Sequence, residues 1–562
     1  MEEKQVKKNQ SFIAMLLTVL MLLGMTACGS KEPSPSPSAP DGTQQTGQPE
    51  QNTDRKTSKD TFTWTAALGV TTLDFSASQN NATSVINSYV TNYLVDRYYE
   101  ADGTISTGIC DRGLASEYTF DDDSLGVTFK LREGVKFQNG TEFTAKDVVF
   151  SVNFFSDASG YEFIDYANMK ADGDYTVYIP FNKVDGSALT KISVIPMWSA
   201  DYWDEVGDET AFFTTKAIGT GPFMITEWVN DDHVNTDRFD GYFEGPAILS
   251  HVNYRIITEN NVMLAELQTG GVDYVLRGSG NDVADVEAGL YGENVAIYKT
   301  ENEDTLTLQF NGTEAIFDNL AFKQAICYAI DRESIKTAAF SDGGDDCWTV
   351  LSNRGSKLTK YEGDDWFYPY NEDTAKQKLA EAGYADTDGD GYVENENGEP
   401  MKLRLIAIGT QSIQTVTSEV LKNNLEKIGI GIDIEPMDLA TWANAAMNAA
   451  DTWDLVLLNL GSIESASGRE YSIHDFSKNI NHMEASPRYE EYYNIWISPL
   501  SQTVDEDEWM KLFRELEPKL MTDYLWWYPL EQTLDISFYN SSLQDFSRIS
   551  WTTWYLKDAY FN

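Results

Sequence analysis

Residues 127–155 read VTFKLREGVKFQNGTEFTAKDVVFSVNFF, and this stretch decides the fold class. Val127, Phe129 and Leu131 alternate with polar residues, Glu133-Gly134 interrupts them, Val135 and Phe137 resume the alternation, and Asn139-Gly140 turns the chain again. Period-two alternation broken by such dipeptides predicts a two-stranded ribbon. Thr144 then stands three residues ahead of Asp147 and just before an apolar run. Their side chains can satisfy the free amides that open a helix, so the spacing predicts a capped helix carrying Val148, Val149, Val152 and Phe155 inward.

The rest of the chain sets bounds around that unit. At 562 residues, 42% hydrophobic and 13% aromatic, it has material for several cores. A formal charge of -48, from 89 acidic against 41 basic residues, excludes nucleic acid as a partner, because neutralising phosphates needs clustered Lys and Arg. Acidity on this scale reads as a solvated outer surface. Lys4, Lys7 and Lys8 precede an apolar run over 12–23 and then small residues, the pattern of a signal peptide over 1–27, too short for a membrane span. Met25-Thr26-Ala27-Cys28 resembles a bacterial lipobox, with Met where Leu is usual, which implies that Cys28 is the lipid-modified first residue of the mature chain. Residues 28–59 are rich in Ser, Pro, Gly and Gln and read as a disordered tether. Of the other cysteines, Cys110, Cys327 and Cys347, the last two can close a short loop or stay reduced, and one thiol must remain free.

Helical and strand periodicities alternate along the mature chain, which predicts a mixed α/β architecture. Ile413, Val416, Val420, Leu421, Leu425 and Ile428 recur at helical spacing, Gly429 ends the run, and Ile430, Ile432 and Ile434 alternate as a strand. A second helix is expected over roughly 319–335 and a third over 374–382, ended by Gly383.

The opening stretch, together with GLASEY (113–118), IGTGPFMITEW (218–228), LQTGGVDY (267–274), FDNLAFKQAICYAIDRESI (317–335), AKQKLAEAGYADTDGDG (375–391) and WDLVLLNLG (453–461), resembles in order the blocks of the extracellular solute-binding proteins of the dipeptide/oligopeptide/nickel type, the capture subunits of ABC importers. The resemblance implies a two-lobed α/β fold of the periplasmic-binding-protein kind (type II, cluster C), with three domains and a ligand cleft between the lobes. Domain I is expected over 60–91, 216–305 and 526–562, domain II, inserted in the first lobe, over 92–215, and domain III, the second lobe, over 306–525.

Such a cleft needs a desolvated pocket with a few placed polar groups and some ring surface, and no catalytic group. Leu73-Asp74-Phe75 is similar to the motif after which family members contact the ligand main chain, which implies Gln79, Asn80 and Asn81 as contacts through neutral hydrogen bonds. Trp442 matches an aromatic that the family places before the strand ending at the cleft, where a ring stacks on a sugar or covers a side chain. Tyr161, Tyr166, Trp366 and Tyr368 are further ring candidates; spacing selects none of them, and Tyr166 is carried among the site residues. Peptide-binding members follow the strand with a Trp-x-x-Asp-like motif whose carboxylate pairs with the ligand's amino terminus. Here Leu460, Gly461 and Ser462 lead to Ile463 at the carboxylate position, so the anchor is absent or shifted to Glu464. That departure favours a neutral ligand such as an oligosaccharide beside a peptide.

With four histidines and no His cluster, capture of nickel or zinc is not expected, and no cofactor is called for. Asp386, Asp388, Asp390, Tyr392 and Glu394 reproduce the first half of a calcium loop, with Asn397 where a bidentate Glu belongs, so a structural calcium ion is the one metal to consider. The expected protein is a monomer, lipid-anchored on the outer face of a bacterial membrane, with permease subunits and a peptide or oligosaccharide as partners. A secreted carbohydrate-active hydrolase would need a placed pair of carboxylates, and nothing marks one among the 89 acidic residues. A ligand-presenting surface sensor shares every one of these features.

Overall fold

The computed structural model describes residues 56–77, 81–99, 105–158, 161–276, 278, 280–340, 344–345, 368–395, 397–460, 480–548 and 553–562. The signal peptide and Cys28, most of the tether, Gln79, Asn80, Trp366, Gly461, Ser462 and Glu464 therefore lie outside the described residues, as does Cys347. Cys327 is a free, wholly buried thiol among the described residues, and its pairing with Cys347 lies outside them.

In chain order, β1 (Thr61–Ala66) is followed by α1 (Asn81–Val90), and a small sheet comes next from β2 (Ala115–Phe120), β3 (Gly126–Leu131), β4 (Lys170–Ala171) and β5 (Thr176–Pro180), in the order β2-β3-β5-β4, with α2 (Ala145–Asn153) packed against it. The opening stretch forms this unit with one change. β3 pairs with β2 and β5 rather than with the segment carrying Val135 and Phe137. That segment closes instead on its own tight turn, where Phe143 N–H donates to Val135 O and Phe137 N–H to Thr141 O. The helix is capped as expected: the Asp147 carboxylate accepts from Thr144 N at 2.8 Å, Thr144 Oγ1 at 3.1 Å and Ala200 N at 2.9 Å.

The tight turn has a purpose that its letters do not announce. Gln138 at its tip donates through Nε2 to Val90 O, Gly221 O and Phe223 O at 2.8–3.1 Å and accepts Gly219 N–H at 2.8 Å, clasping the end of α1 to the GTGPF segment. Gly219 and Gly221 are required there, since a Cβ on either would sit 2.2 Å from Val90 O or 2.5 Å from Tyr89 O.

The main sheet gathers β1 with β6 (Phe223–Val229), β7 (His233–Arg238), β8 (His251–Ile256), β9 (Tyr274–Val275), the long β10 (Val295–Phe310), β11 (Gly344–Asp345), β12 (Lys402–Ile408), β13 (Gly431–Met437), β14 (Leu455–Leu460) and the long β15 (Trp527–Asn540). Its order is β13-β12-β14-β10-β15-β9-β1-β8-β7-β6, with β11 added to β15. β10 and β15 run antiparallel through both halves, and their register shifts between Glu301 and Thr305, opposite Leu534 and Gln532. A shift of this kind loosens the ladder and increases twist locally, which makes it the joint between the halves.

In the second half, α3 (Ser412–Glu426) connects β12 to β13, and α4 (Leu439–Asn448) connects β13 to β14. Leu421 and Leu425 of α3 pack with Leu403 and Leu405 on one face of the sheet, while Trp442, Ala443 and Ala446 of α4 pack with Ile406 and Ile408 on the other. β12 is thus buried on both faces, as its near-continuous apolar run requires. The helix and strand expected over 413–434 are present, with Gly429 at φ 84°. The helix expected over 319–335 is interrupted after Ala329: Asp331 N–H donates to Asn424 Oδ1, and the Asp331 carboxylate caps a new turn at Ser334 N.

Candidate binding cleft

Strand direction locates the site. β8, β1 and β9 are parallel, and β9 pairs antiparallel to β15 from Tyr274↔Tyr539 to Val275↔Phe538, so their carboxyl ends point toward the middle of β15. β13, β12 and β14 are also parallel, and β14 runs against β10 from Leu455↔Phe310 to Leu460↔Thr305, toward that same joint from the other side. Within the second half the order reverses at β12, whose two flanking strands are reached by helices on opposite faces. In open α/β sheets the ligand crevice lies outside the carboxyl ends of the strands at such a reversal. Two sets of strand ends facing each other across a joint therefore make one crevice between two lobes.

The loop after β1 is tied down before it reaches that crevice. Asp74 Oδ1 accepts from Ser76 N at 2.9 Å and Ser76 Oγ at 2.6 Å, and Asn87 Nδ2 of α1 donates to Leu73 O at 3.1 Å. Asn81 opens α1 and is buried, and its Nδ2 has no hydrogen-bond partner among the described residues. A buried amide nitrogen in that state is a donor waiting for an acceptor.

The ring candidates are placed differently from expectation. Trp442 is 0% exposed, enclosed between the sheet and its own helix, and offers no face to solvent. The Tyr166 hydroxyl donates to Phe155 O at 2.9 Å and lies 3.2 Å from Tyr161 O, so it serves the packing of the small-sheet domain. Leu460 is buried in the same cluster as Trp442.

Several polar side chains at the joint were not singled out from the sequence. Glu531, Thr533, Asp535 and Ser537 alternate along β15 and are all buried. Arg548 is buried with them, donating to Ser537 Oγ at 2.9 Å, to the Tyr274 hydroxyl and to the Asp535 carboxylate, with the Tyr298 ring centroid 5.0 Å from its guanidinium. A buried ion pair of this kind tolerates no loss of one partner. The signal was present as a polar run, E-Q-T-x-D-x-S, in the middle of a strand that is mostly apolar on either side.

The acidic loop lies at the opposite end of the second half. Met401 N–H donates to Val393 O and Gly431 N–H to Met401 O, which sets the loop at the amino ends of β12 and β13, away from the crevice. Oxygens of Asp386, Asp388 and Glu394 come within 4.8 Å of one another. Glu394 accepts Thr387 N–H at 2.9 Å, which holds its carboxyl below the usual range, and Asp386 accepts Gly389 N–H and Gly391 N–H. Asp390 Oδ1 accepts Tyr392 N–H at 2.8 Å.

Two lobes on a shared sheet, with a crevice at their facing strand ends, define a solute-binding protein. The chain belongs to the bacterial extracellular solute-binding proteins of family 5, the substrate-binding components of ABC importers; residues 111–480 match the model for the family's middle region. It is 26% identical over 535 residues to the oligopeptide-binding protein AppA of Bacillus subtilis, covering 92% of each chain. Heme-binding protein A of Haemophilus influenzae is 29% identical over 297 residues, 48% of this chain and 53% of that one. In fold, the chain is similar to the solved complex of B. subtilis AppA with a nonapeptide (TM-score 0.67, 22% identity, 90% of this chain and 100% of that one) and to the substrate-binding protein CtaP of Listeria monocytogenes (TM-score 0.73, 19% identity, 90% and 100%). The family binds solutes and is not enzymatic. Among the described residues no helix is long and apolar enough to cross a membrane.

Proposed function

We propose that this chain is the membrane-tethered, monomeric capture subunit of an ABC importer, which closes on a peptide in the crevice at the joint and delivers it to permease subunits. The observation that carries the reading is the buried Asn81 amide, unpartnered among the described residues, on the helix that follows β1 in a sheet whose strands from both halves run toward one joint. A peptide carbonyl satisfies such a donor without charge. The oligopeptide relative and its nonapeptide complex favour the same class. An oligosaccharide is the second reading, favoured by Leu460 and Ile463, which stand where peptide-binding members carry the aromatic and the amine-binding carboxylate. Cys28 and the 28–59 tether would hold the folded body outside the membrane. The Asp386–Glu394 loop would take a structural calcium ion remote from the ligand.

The test is thermal unfolding in the presence of peptides of two to nine residues and, separately, of maltooligosaccharides. A ligand bound only by the folded state stabilises it by about 2.7 kcal/mol at a hundredfold excess over Kd. A rise in Tm with peptides supports the first reading, and a rise with sugars alone supports the second. No rise with either refutes both.

A further inference from the structure

The second half of the sheet ends in a relay of amides whose polarity the backbone dictates. Ile408 N–H, on the last residue of β12, donates to Gln414 Oε1 at 2.8 Å. A backbone N–H can only donate, so Gln414 must turn its carbonyl there and its NH2 away. Gln414 Nε2 then donates to Asn459 Oδ1 at 3.1 Å. Asn459 is thereby fixed with its carbonyl toward Gln414, and its own Nδ2 is left buried with no hydrogen-bond partner among the described residues. Gln414 is 0% exposed and Asn459 5%.

An orphaned buried donor costs about 1–3 kcal/mol, yet three elements hold this one in place. Apolar side chains would fill the position more cheaply: Leu455 and Leu457 do so on the same face of β14, and Leu421 and Leu425 on the same side of α3. At the far end of α3 the buried Asn424 has a partner in Asp331 N–H, whereas at the crevice end Thr417 Oγ1, beside Gln414 on the helix, is also buried and has no partner among the described residues. Asn459 is the penultimate residue of β14, next to the strand at which the sheet order reverses.

We propose that Asn459 is a specificity-determining residue of the cleft, donating through Nδ2 to a neutral acceptor oxygen of the ligand, a peptide carbonyl or a sugar hydroxyl, and that Gln414 is the positioning residue that makes it a donor. The inference rests on the binding function given above and deepens it. A ligand ammonium offers only donors and is rejected at this point. The absence of a carboxylate at Ile463 fits the same selection.

Calorimetric titrations with two probe sets, alanine peptides of three to nine residues and maltooligosaccharides, test this on wild type, Asn459→Asp, Asn459→Leu and Gln414→Glu. Asn459→Asp keeps the acceptor for Gln414 and replaces the free donor by a charged carboxylate oxygen; it weakens binding of whichever probe the wild type takes by about tenfold. Asn459→Leu, which introduces no charge, does the same. Gln414→Glu accepts from both Ile408 N–H and the Asn459 amide, turning the Asn459 carbonyl toward the ligand, so it too weakens binding at neutral pH. Its deficit shrinks as the pH falls through the new carboxyl's titration, because the protonated form donates again; recovery of Kd without a parallel recovery of Tm is what a merely structural role would not produce. Wild type that binds a probe while Asn459→Asp and Asn459→Leu bind it within twofold overturns the inference and leaves the proposed function standing. Wild type that binds neither probe overturns both.

Discussion

Trp442 separates a packing role from a ligand role. Its side chain is 0% exposed and shares a cluster with Ile406, Ile408, Val456 and Leu458. Burying about 200 Å² of indole at about 25 cal/mol/Å² contributes about 5 kcal/mol, in line with the 3–5 kcal/mol typical of Trp→Ala in cores. Trp442 Nε1 has no hydrogen-bond partner among the described residues, so the ring's contribution is packing alone. Against a total stability of about 5–15 kcal/mol, Trp442→Ala is severely destabilised, and Trp442→Phe, which leaves a smaller void, loses about 1–2 kcal/mol. Urea unfolding followed by circular dichroism measures both, and peptide titration of the Phe variant measures the site. The expected result is a lowered midpoint with Kd within about twofold. An unchanged midpoint with binding weakened tenfold or more would show that the ring faces the cleft and that the packing argument is wrong.

Gln138→Ala removes four hydrogen bonds that join the tight turn, α1 and the GTGPF segment, and costs about 3 kcal/mol, read as a Tm drop without loss of secondary structure. Lys323 is 3% exposed, its ammonium 4.7 Å from the Trp526 ring centroid, and burial pulls its pKa down to about 7. The unfolded chain therefore holds more protons between pH 7 and about 10.4, so wild-type stability should rise relative to Lys323→Met across that window and be penalised fully below it; parallel pH profiles would refute this. Calcium at about 10 mM should raise Tm relative to EDTA, and Asp388→Ala should abolish the rise, whereas equal Tm values in both buffers would exclude a structural ion. Cys28→Ala should release the protein from membranes into the medium, assayed by fractionation; retention in the membrane fraction would rule out the lipid anchor.

What was legible in the sequence is what local physics controls. The Thr144–Asp147 cap and the α3-Gly429-β13 unit follow from spacing over a few residues, and both are present. Pairing is not local: β3 found partners at 115–120 and 176–180 because three strands bury a common apolar face, which the adjacent Val135–Phe137 segment was too short to do. The more informative miss is the buried side of α3. Ile413, Val416 and Val420, read at helical spacing, are half-buried, Ile413 and Val420 against the core, while Gln414, Thr417 and Ser418 are wholly enclosed. The hydrophobic pattern assumes that inward means apolar. That assumption fails where a strand's last N–H has no ladder partner: Ile408 needs an acceptor, and a glutamine reaches it. The same logic covers Glu531, Thr533, Asp535 and Ser537 on β15, where the ladder shifts register and a run of leucines would leave Arg548 without a counter-charge. Trp442 shows the converse, an aromatic assigned to the ligand that the core claims. In this fold, then, local patterning breaks where a strand's last N–H or a buried guanidinium needs a polar partner that the apolar pattern cannot supply.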